Sequence, residues 1–141
     1  DFAIDLWSVG CSIYELYTGK IMFPGQSNNH MLKLSMELKG KIPNKLIRRG
    51  QFKDNHFDQN CNFLYQDTDK ITQRQKVIVM PAVNKCRNLH QELMAADHAS
   101  SENNSAKVSH LTDFLDKIHM LDPLKRPSVN ECLAHPFITE K

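Results

Sequence analysis

The chain has 141 residues, 40% of them apolar, and a formal charge of +2. That length suits one domain with a real core, and near neutrality gives no support to a nucleic-acid-binding surface, which carries a concentrated basic patch. No apolar run approaches the ~18 residues of a membrane-spanning helix, so direct nucleic-acid binding and membrane insertion are both expected to be absent. The four cysteines, Cys11, Cys61, Cys86 and Cys132, form no C-x-x-C pair and no zinc-like spacing. They read as free thiols of a reducing compartment, cytosol or nucleus.

Five pieces follow in chain order, without an internal repeat. The first is a helix from about Asp5 to Thr18, closed by Gly19, since glycine tolerates the left-handed turn that ends many helices. Its apolar residues, among them Leu6, Trp7, Val9, Ile13 and Leu16, surround the axis, the pattern of a helix at the centre of a larger assembly. After the turn signal Phe23-Pro24-Gly25, a second helix is expected from about Asn28 to Lys39, stopping at Gly40, with Met31, Leu34 and Leu38 on one face and Leu32 and Met36 beside it. The basic run Lys45-Leu46-Ile47-Arg48-Arg49 is a weak localisation signal and fits a solvated helix face or loop.

The third piece, from Lys41 to about Ala106, is the least regular, polar with scattered aromatics Phe52, Phe57, Phe63 and Tyr65. Within it "KVIVM", residues 76–80, fits a short strand or an extended loop, and "DHASSENNSAK", residues 97–107, reads as an exposed, disordered loop. The fourth piece is a helix from about Val108 to Leu121, with Val108, Leu111, Leu115 and Ile118 at helical spacing, ended by Asp122-Pro123. The fifth is the short helix "SVNECLAH", opened by the capping box Ser128/Glu131 and stopped by Pro136. Mostly helical is the fold class this order implies.

Residue by residue, no catalytic set emerges. The glycines stand singly at 10, 19, 25, 40 and 50, so no phosphate-cradling loop exists. There is no G-x-S-x-G elbow and no H-E-x-x-H, and His110 and His119 are nine apart rather than one turn apart. Asp113 and Asp116 are best explained as the solvated face of the fourth helix. No catalytic, cofactor-binding or metal-binding residue is therefore assigned.

"DFAIDLWSVGCSIYELYTGKIMFPG" resembles the central helix of the eukaryotic protein kinase C-lobe and the turn after it, through Asp5, Trp7, Ser8 and Gly10. Cys11, Glu15, Leu16 and Phe23-Pro24-Gly25 resemble the CMGC group. "LDPLKRPSVNECLAHPF" resembles the last kinase motif, through Leu121, Asp122, Pro123, Arg126, His135, Pro136 and Phe137. The stretches "NNHMLKL", "KGKIPNK", "FKDNHFDQNCNF" and "DKITQRQKVIVM" resemble the CMGC kinases of pre-mRNA splicing, of the processing-factor-four type. Residues 86–107 match no pattern of that family.

The resemblance implies the C-lobe portion of the protein kinase-like fold over residues 1–141, from the central helix to the end, with a CMGC-type insertion at 41–107. It implies a parent serine/threonine kinase that uses ATP and Mg, acts on protein substrates, splicing factors among them, and resides in the nucleus. The Gly-rich loop, strand lysine, H-R-D loop and D-F-G metal ligand would lie upstream of Asp1. The 141 residues alone are then expected to be inactive and to bind neither ATP nor Mg. The alternative is a non-catalytic C-lobe remnant acting as a protein-binding module.

Three structural anchors come with the resemblance. The aspartate matching Asp5 holds the catalytic loop by accepting its backbone hydrogen bonds, whereas on residues alone Asp5 is a first-turn helix charge worth about 0.3–1 kcal/mol. Trp7 packs in the core on either reading. Arg126 matches the buried partner of a glutamate in the A-P-E motif, which this chain does not contain. A buried arginine without its partner is costly, so in this chain Arg126 is expected to be disordered or exposed to water.

Overall fold

The structure, a computed structural model, describes residues 2–51, 53–96 and 102–140. Two compact units divide the chain: Asp1–Met22 with Asn88–Lys141, and Phe23–Arg87.

The first unit is helical. Helix α1 runs Phe2–Thr18 and ends at Gly19, whose φ of 73° is the left-handed stop expected there. Later in the chain come α4 (Leu89–Ala95), α5 (Glu102–Ile118), a single 3-10 turn (Pro123–Lys125), α6 (Val129–Leu133) and α7 (Pro136–Thr139). Among the described elements α1 packs against α4, α5 and the 3-10 turn. The core comprises Tyr14 from α1, Leu89 and Leu93 from α4, and Val108, Leu111, Leu115 and Ile118 from α5. Tyr14 also donates its hydroxyl proton to Glu92 Oε1 at 2.6 Å, tying α1 to α4.

Three sequence expectations for this unit are corrected. The loop expected over 97–107 is helix from Glu102 onward, and residues 97–101 lie outside the described residues. Ser105, Ala106 and Lys107 are exposed, so this segment is a polar extension of the apolar stripe that starts at Val108; a helix already packed adds turns without a second nucleation cost. Pro136 stops α6 but also opens α7, where a missing N–H and a preset φ suit the first helical position. Third, α1 is not covered all round. Ile4, Val9 and Leu16 stand 64%, 49% and 87% exposed, because only one side of the helix meets other described elements.

The second unit holds α2 (Asn28–Lys39), α3 (Asn44–Arg49), a 3-10 turn (Lys53–Asn55) and an antiparallel hairpin of β1 (Phe63–Thr68) and β2 (Gln75–Met80). "KVIVM" is thus strand, paired from Phe63↔Met80 to Thr68↔Gln75. Phe52 lies outside the described residues. The basic run forms α3, with Ile47 buried and Lys45, Arg48 and Arg49 in water. The core gathers Met36, Ile47, Phe57, Cys61, Phe63 and Val83.

Helix α2 has the expected bounds, from an N-cap at Ser27 to Gly40, and Leu38, Leu32 and Met36 turn inward as expected, but Asn29 takes the inner place expected of Met31. Met31 is 37% exposed and the face toward the hairpin runs through Asn29, Leu32 and Met36. Polar Asn29 is the reason. Only 2% exposed, it donates from Nδ2 to Leu64 O (2.9 Å) and His56 Nδ1 (3.0 Å), and its Oδ1 accepts from Gln66 N (2.8 Å). It fills the β1 edge that no third strand covers among the described residues. Asn29→Ala strands these groups, at about 1–3 kcal/mol. Hydrogen exchange checks this: the Gln66 amide should lose protection first, and unchanged protection there would contradict the role.

Candidate functional site

The residues singled out by sequence lie in the first unit, where α1 crosses the end of α5. The crossing is close because Gly10 is at the contact. A Cβ built on Gly10 would stand 2.4 Å from His119 Cε1 and 2.7 Å from Ile118 Cδ1. Glycine in a helix interior weakens it by about 1 kcal/mol relative to alanine, so its presence here is explained by the approach of His119.

His119 is fully buried. Its Nδ1–H donates to Leu115 O at 2.8 Å, which leaves Nε2 as an acceptor for the Cys11 thiol at 3.6 Å. Burial pushes the Cys11 thiol above its ordinary value, keeping it protonated and able to donate. The Trp7 ring meets the imidazole edge-on, with centroids 4.7 Å apart and planes at 78°. Such a pair is worth about 0.5–1.5 kcal/mol beyond its buried area.

Arg126 closes the cluster from the turn after α5. Its guanidinium carbon lies 4.9 Å from the Trp7 ring centroid. Nε–H donates to Met120 O at 2.7 Å and Nη1–H to Ala3 O at 2.9 Å. Arg126 is therefore half-buried and bonded rather than free in water, contrary to the sequence expectation. Two backbone carbonyls and the indole face satisfy a planar cation without any carboxylate. Burial still lowers its pKa from the ordinary arginine value, with nearby Asp122 opposing that shift.

The structure thus brings Trp7 and Arg126 together and leaves Asp5 apart. Asp5 is exposed on the first turn of α1, and no hydrogen bond or ion pair joins it to another described residue. It sits at the rim of an open apolar groove of about 420 Å³ lined by Leu6, Val9, Phe114, Val129 and Leu133. A second groove, about 450 Å³, opens along the same helix at Ile13, Leu16, Tyr17 and Leu111.

Sequence reasoning considered His119 only as a metal ligand and overlooked its part in this cluster. The usable signal was its place four residues after Leu115, on the apolar stripe of α5. Asp113 and Asp116 face water as expected. Asp113 also receives hydrogen bonds from Lys117 Nζ (2.9 Å) and His135 Nε2 (2.7 Å), which hold its carboxyl below the usual aspartate range. His135 Nδ1 in turn accepts from Phe137 N and caps α7. Among the described residues no three His, Cys, Asp or Glu side chains form a metal-binding group, and no helix is long and apolar enough to cross a membrane. The residues present do not fit an Mg-ATP site, and the cluster's chemistry is that of holding helices together.

The family model for the protein kinase domain matches residues 1–138. The chain belongs to the protein kinase domain family. Its fold is the mostly α C-lobe portion of that family's fold, as the sequence resemblance implied. Over 138 residues the chain is 40% identical to the serine/threonine-protein kinase prp4 of Schizosaccharomyces pombe, covering 98% of this chain and 29% of that protein. It is 34% identical to the serine/threonine-protein kinase prpf4B of Dictyostelium discoideum, covering 98% of this chain and 17% of that protein. The mitogen-activated protein kinase pmk-3 of Caenorhabditis elegans is 29% identical over 96% of this chain and 23% of its own length. The first two are of the type the sequence resemblance singled out. The chain spans less than a third of the length of each of these relatives. Within that fold, Trp7, Gly10, His119 and Arg126 join α1 to the end of α5 and the turn after it.

Proposed function

We propose that residues 1–141 are the C-lobe portion of a CMGC serine/threonine protein kinase of the splicing type. The complete protein transfers the ATP γ-phosphoryl group to serine or threonine hydroxyls of protein substrates, splicing factors among them, in the nucleus. The insertion spans residues 41–107. ATP and Mg belong to the complete kinase, and the 141 residues alone are inactive. The observation that carries this reading is the kinase-domain match across residues 1–138, joined to a cluster in which each motif residue has a physical reason to be what it is.

In this reading α1 is a platform. Asp5 accepts backbone hydrogen bonds from the catalytic loop, and the apolar grooves beside it receive the elements that carry that loop. Two observations support it: Asp5 is exposed and unbonded among the described residues, and Ile4, Val9 and Leu16 stand out from α1. Arg126 has the same double role. Its Nη2 has no hydrogen-bond partner among the described residues, which leaves one edge of the fork for a carboxylate.

Asp5→Ala in the complete kinase tests the reading. Phosphoryl transfer to a protein substrate is expected to fall about 10–100-fold, the scale of a small misplacement of catalytic groups. The unfolding free energy of this chain should change by no more than about 0.5 kcal/mol, as for a surface site. Undiminished transfer would remove the anchor role. No ATP-dependent phosphorylation by the complete wild-type protein would instead leave the binding-module alternative.

A further inference from the structure

The overall charge of +2 conceals a sharp division. Residues 23–87 hold twelve lysines and arginines against five acidic residues, a formal +7, and the rest of the chain carries −5. Two of those five carboxylates are spent internally. Asp58 accepts from Asn60 N, Asn62 N and the Asn62 side chain, and Asp69 accepts from Ile71 N and Thr72 N in the hairpin turn.

The hairpin of this basic unit has a free edge, and the hydrogen bonds say which residues face it. On β1, Leu64 N donates to His56 O, Leu64 O accepts from Asn29, and Gln66 N donates to Asn29 Oδ1. Leu64 and Gln66 therefore point their backbone away from β2. Antiparallel pairs alternate between bonded and non-bonded, so Tyr65↔Ile78 and Asp67↔Lys76 exchange the ladder bonds. The N–H and C=O groups of Val77 and Val79 then point outward. No hydrogen bond to another described residue covers them. Their side chains are 59% and 54% exposed, and Arg74 and Lys76 are exposed beside them.

We propose that β2 is a docking edge for an extended acidic polypeptide segment, which adds to the hairpin as an antiparallel third strand. The backbone groups of Val77 and Val79 bond to it, as exposed strand edges do in peptide recognition. Directly opposed residues share a face of the sheet. The segment's residues opposite Val77 and Val79 are thus apolar, and those opposite Lys76 and Ile78 acidic. The charge of the unit selects acidic segments over basic ones. The alternating outward amide and carbonyl groups select a polypeptide over RNA.

The test uses the complete kinase polypeptide and a fluorescein-labelled heptapeptide alternating valine and glutamate, read by anisotropy. Saturable binding that weakens with salt is expected. Methylating the peptide's valine nitrogens, which face β2 in this register, should weaken binding at least tenfold, and methylating the glutamate nitrogens should not. Lys76→Glu with Arg74→Glu should also weaken it at least tenfold, as should replacing the peptide's glutamates by lysines. Val79→Pro removes the outward N–H without removing a ladder bond and should abolish binding with an unchanged melting curve. No binding, or equal binding of both methylated peptides, overturns the proposal. So does tighter binding of a uridine decamer, or a self-association that Val79→Pro abolishes, which would make the occupant a second copy.

Discussion

Gly10→Ala is expected to destabilise the chain, although alanine is the better helix former by about 1 kcal/mol. The new methyl would stand 2.4 Å from His119 Cε1 and 2.7 Å from Ile118 Cδ1. The imidazole has little room to give, since it is fully buried, bonded to Leu115 O and set edge-on against Trp7. Overpacking of this kind costs about 1–3 kcal/mol, enough to outweigh the propensity gain, and Gly10→Val should cost more. Denaturant titration reads this directly, as a lowered midpoint at unchanged slope. His119→Ala should partly rescue Gly10→Ala, with a coupling of about 0.5–3 kcal/mol between the two sites. A raised midpoint for Gly10→Ala would show that α1 and α5 separate at no cost.

Arg126→Ala is the second large effect, at about 2–3 kcal/mol. Two hydrogen bonds from a cation are each worth about 1.5–3 kcal/mol, and solvent at this half-exposed group reduces their sum. Arg126→Lys should recover less than half. An ammonium is a point charge and does not present the flat fork that reaches Met120 O and Ala3 O while lying over the Trp7 ring. A double-mutant cycle with Trp7→Leu isolates the ring contact, expected near 0.5–1 kcal/mol at a half-exposed site. Full stability in Arg126→Ala would mean that water replaces the arginine at both carbonyls. In the complete kinase the proposed glutamate partner makes the loss larger, because a carboxylate is then left without its arginine.

The two substitutions test one joint from opposite sides. Gly10 sets how closely α5 approaches α1, and Arg126 pins the turn after α5 to the start of α1. Asp5 and the apolar grooves beside it face outward, and their proposed role depends on elements outside these residues.

Much of this was legible in the sequence. Gly19 and Gly40 end their helices because the left-handed conformation favours residues without a Cβ, and the Ser128/Glu131 box opens α6 with both of its hydrogen bonds. These signals are local, carried by neighbours a few residues apart. The motif around Asp5, Trp7 and Gly10 pointed to the kinase family by resemblance, and the packing that requires a glycine at position 10 is visible only in the fold.

What the sequence left open was settled by partners far along the chain. Arg126 looked stranded because the resemblance gives it a carboxylate partner outside these residues, yet Ala3, 123 positions away, offers a carbonyl. Asn29 joined the inner face of α2 through hydrogen bonds 35 and 37 positions on, which helical periodicity does not register. The first turns of α5 are too polar for pattern reading, and they follow the packed stripe behind them. The charge total of +2 hid a contiguous basic stretch, residues 23–87, and the fold shows that this stretch is a compact unit of its own. Short spacing located the stop of α1, both ends of α2 and the start of α6. Tertiary structure decided which faces turn inward, which charges find partners and which strand edge is left open.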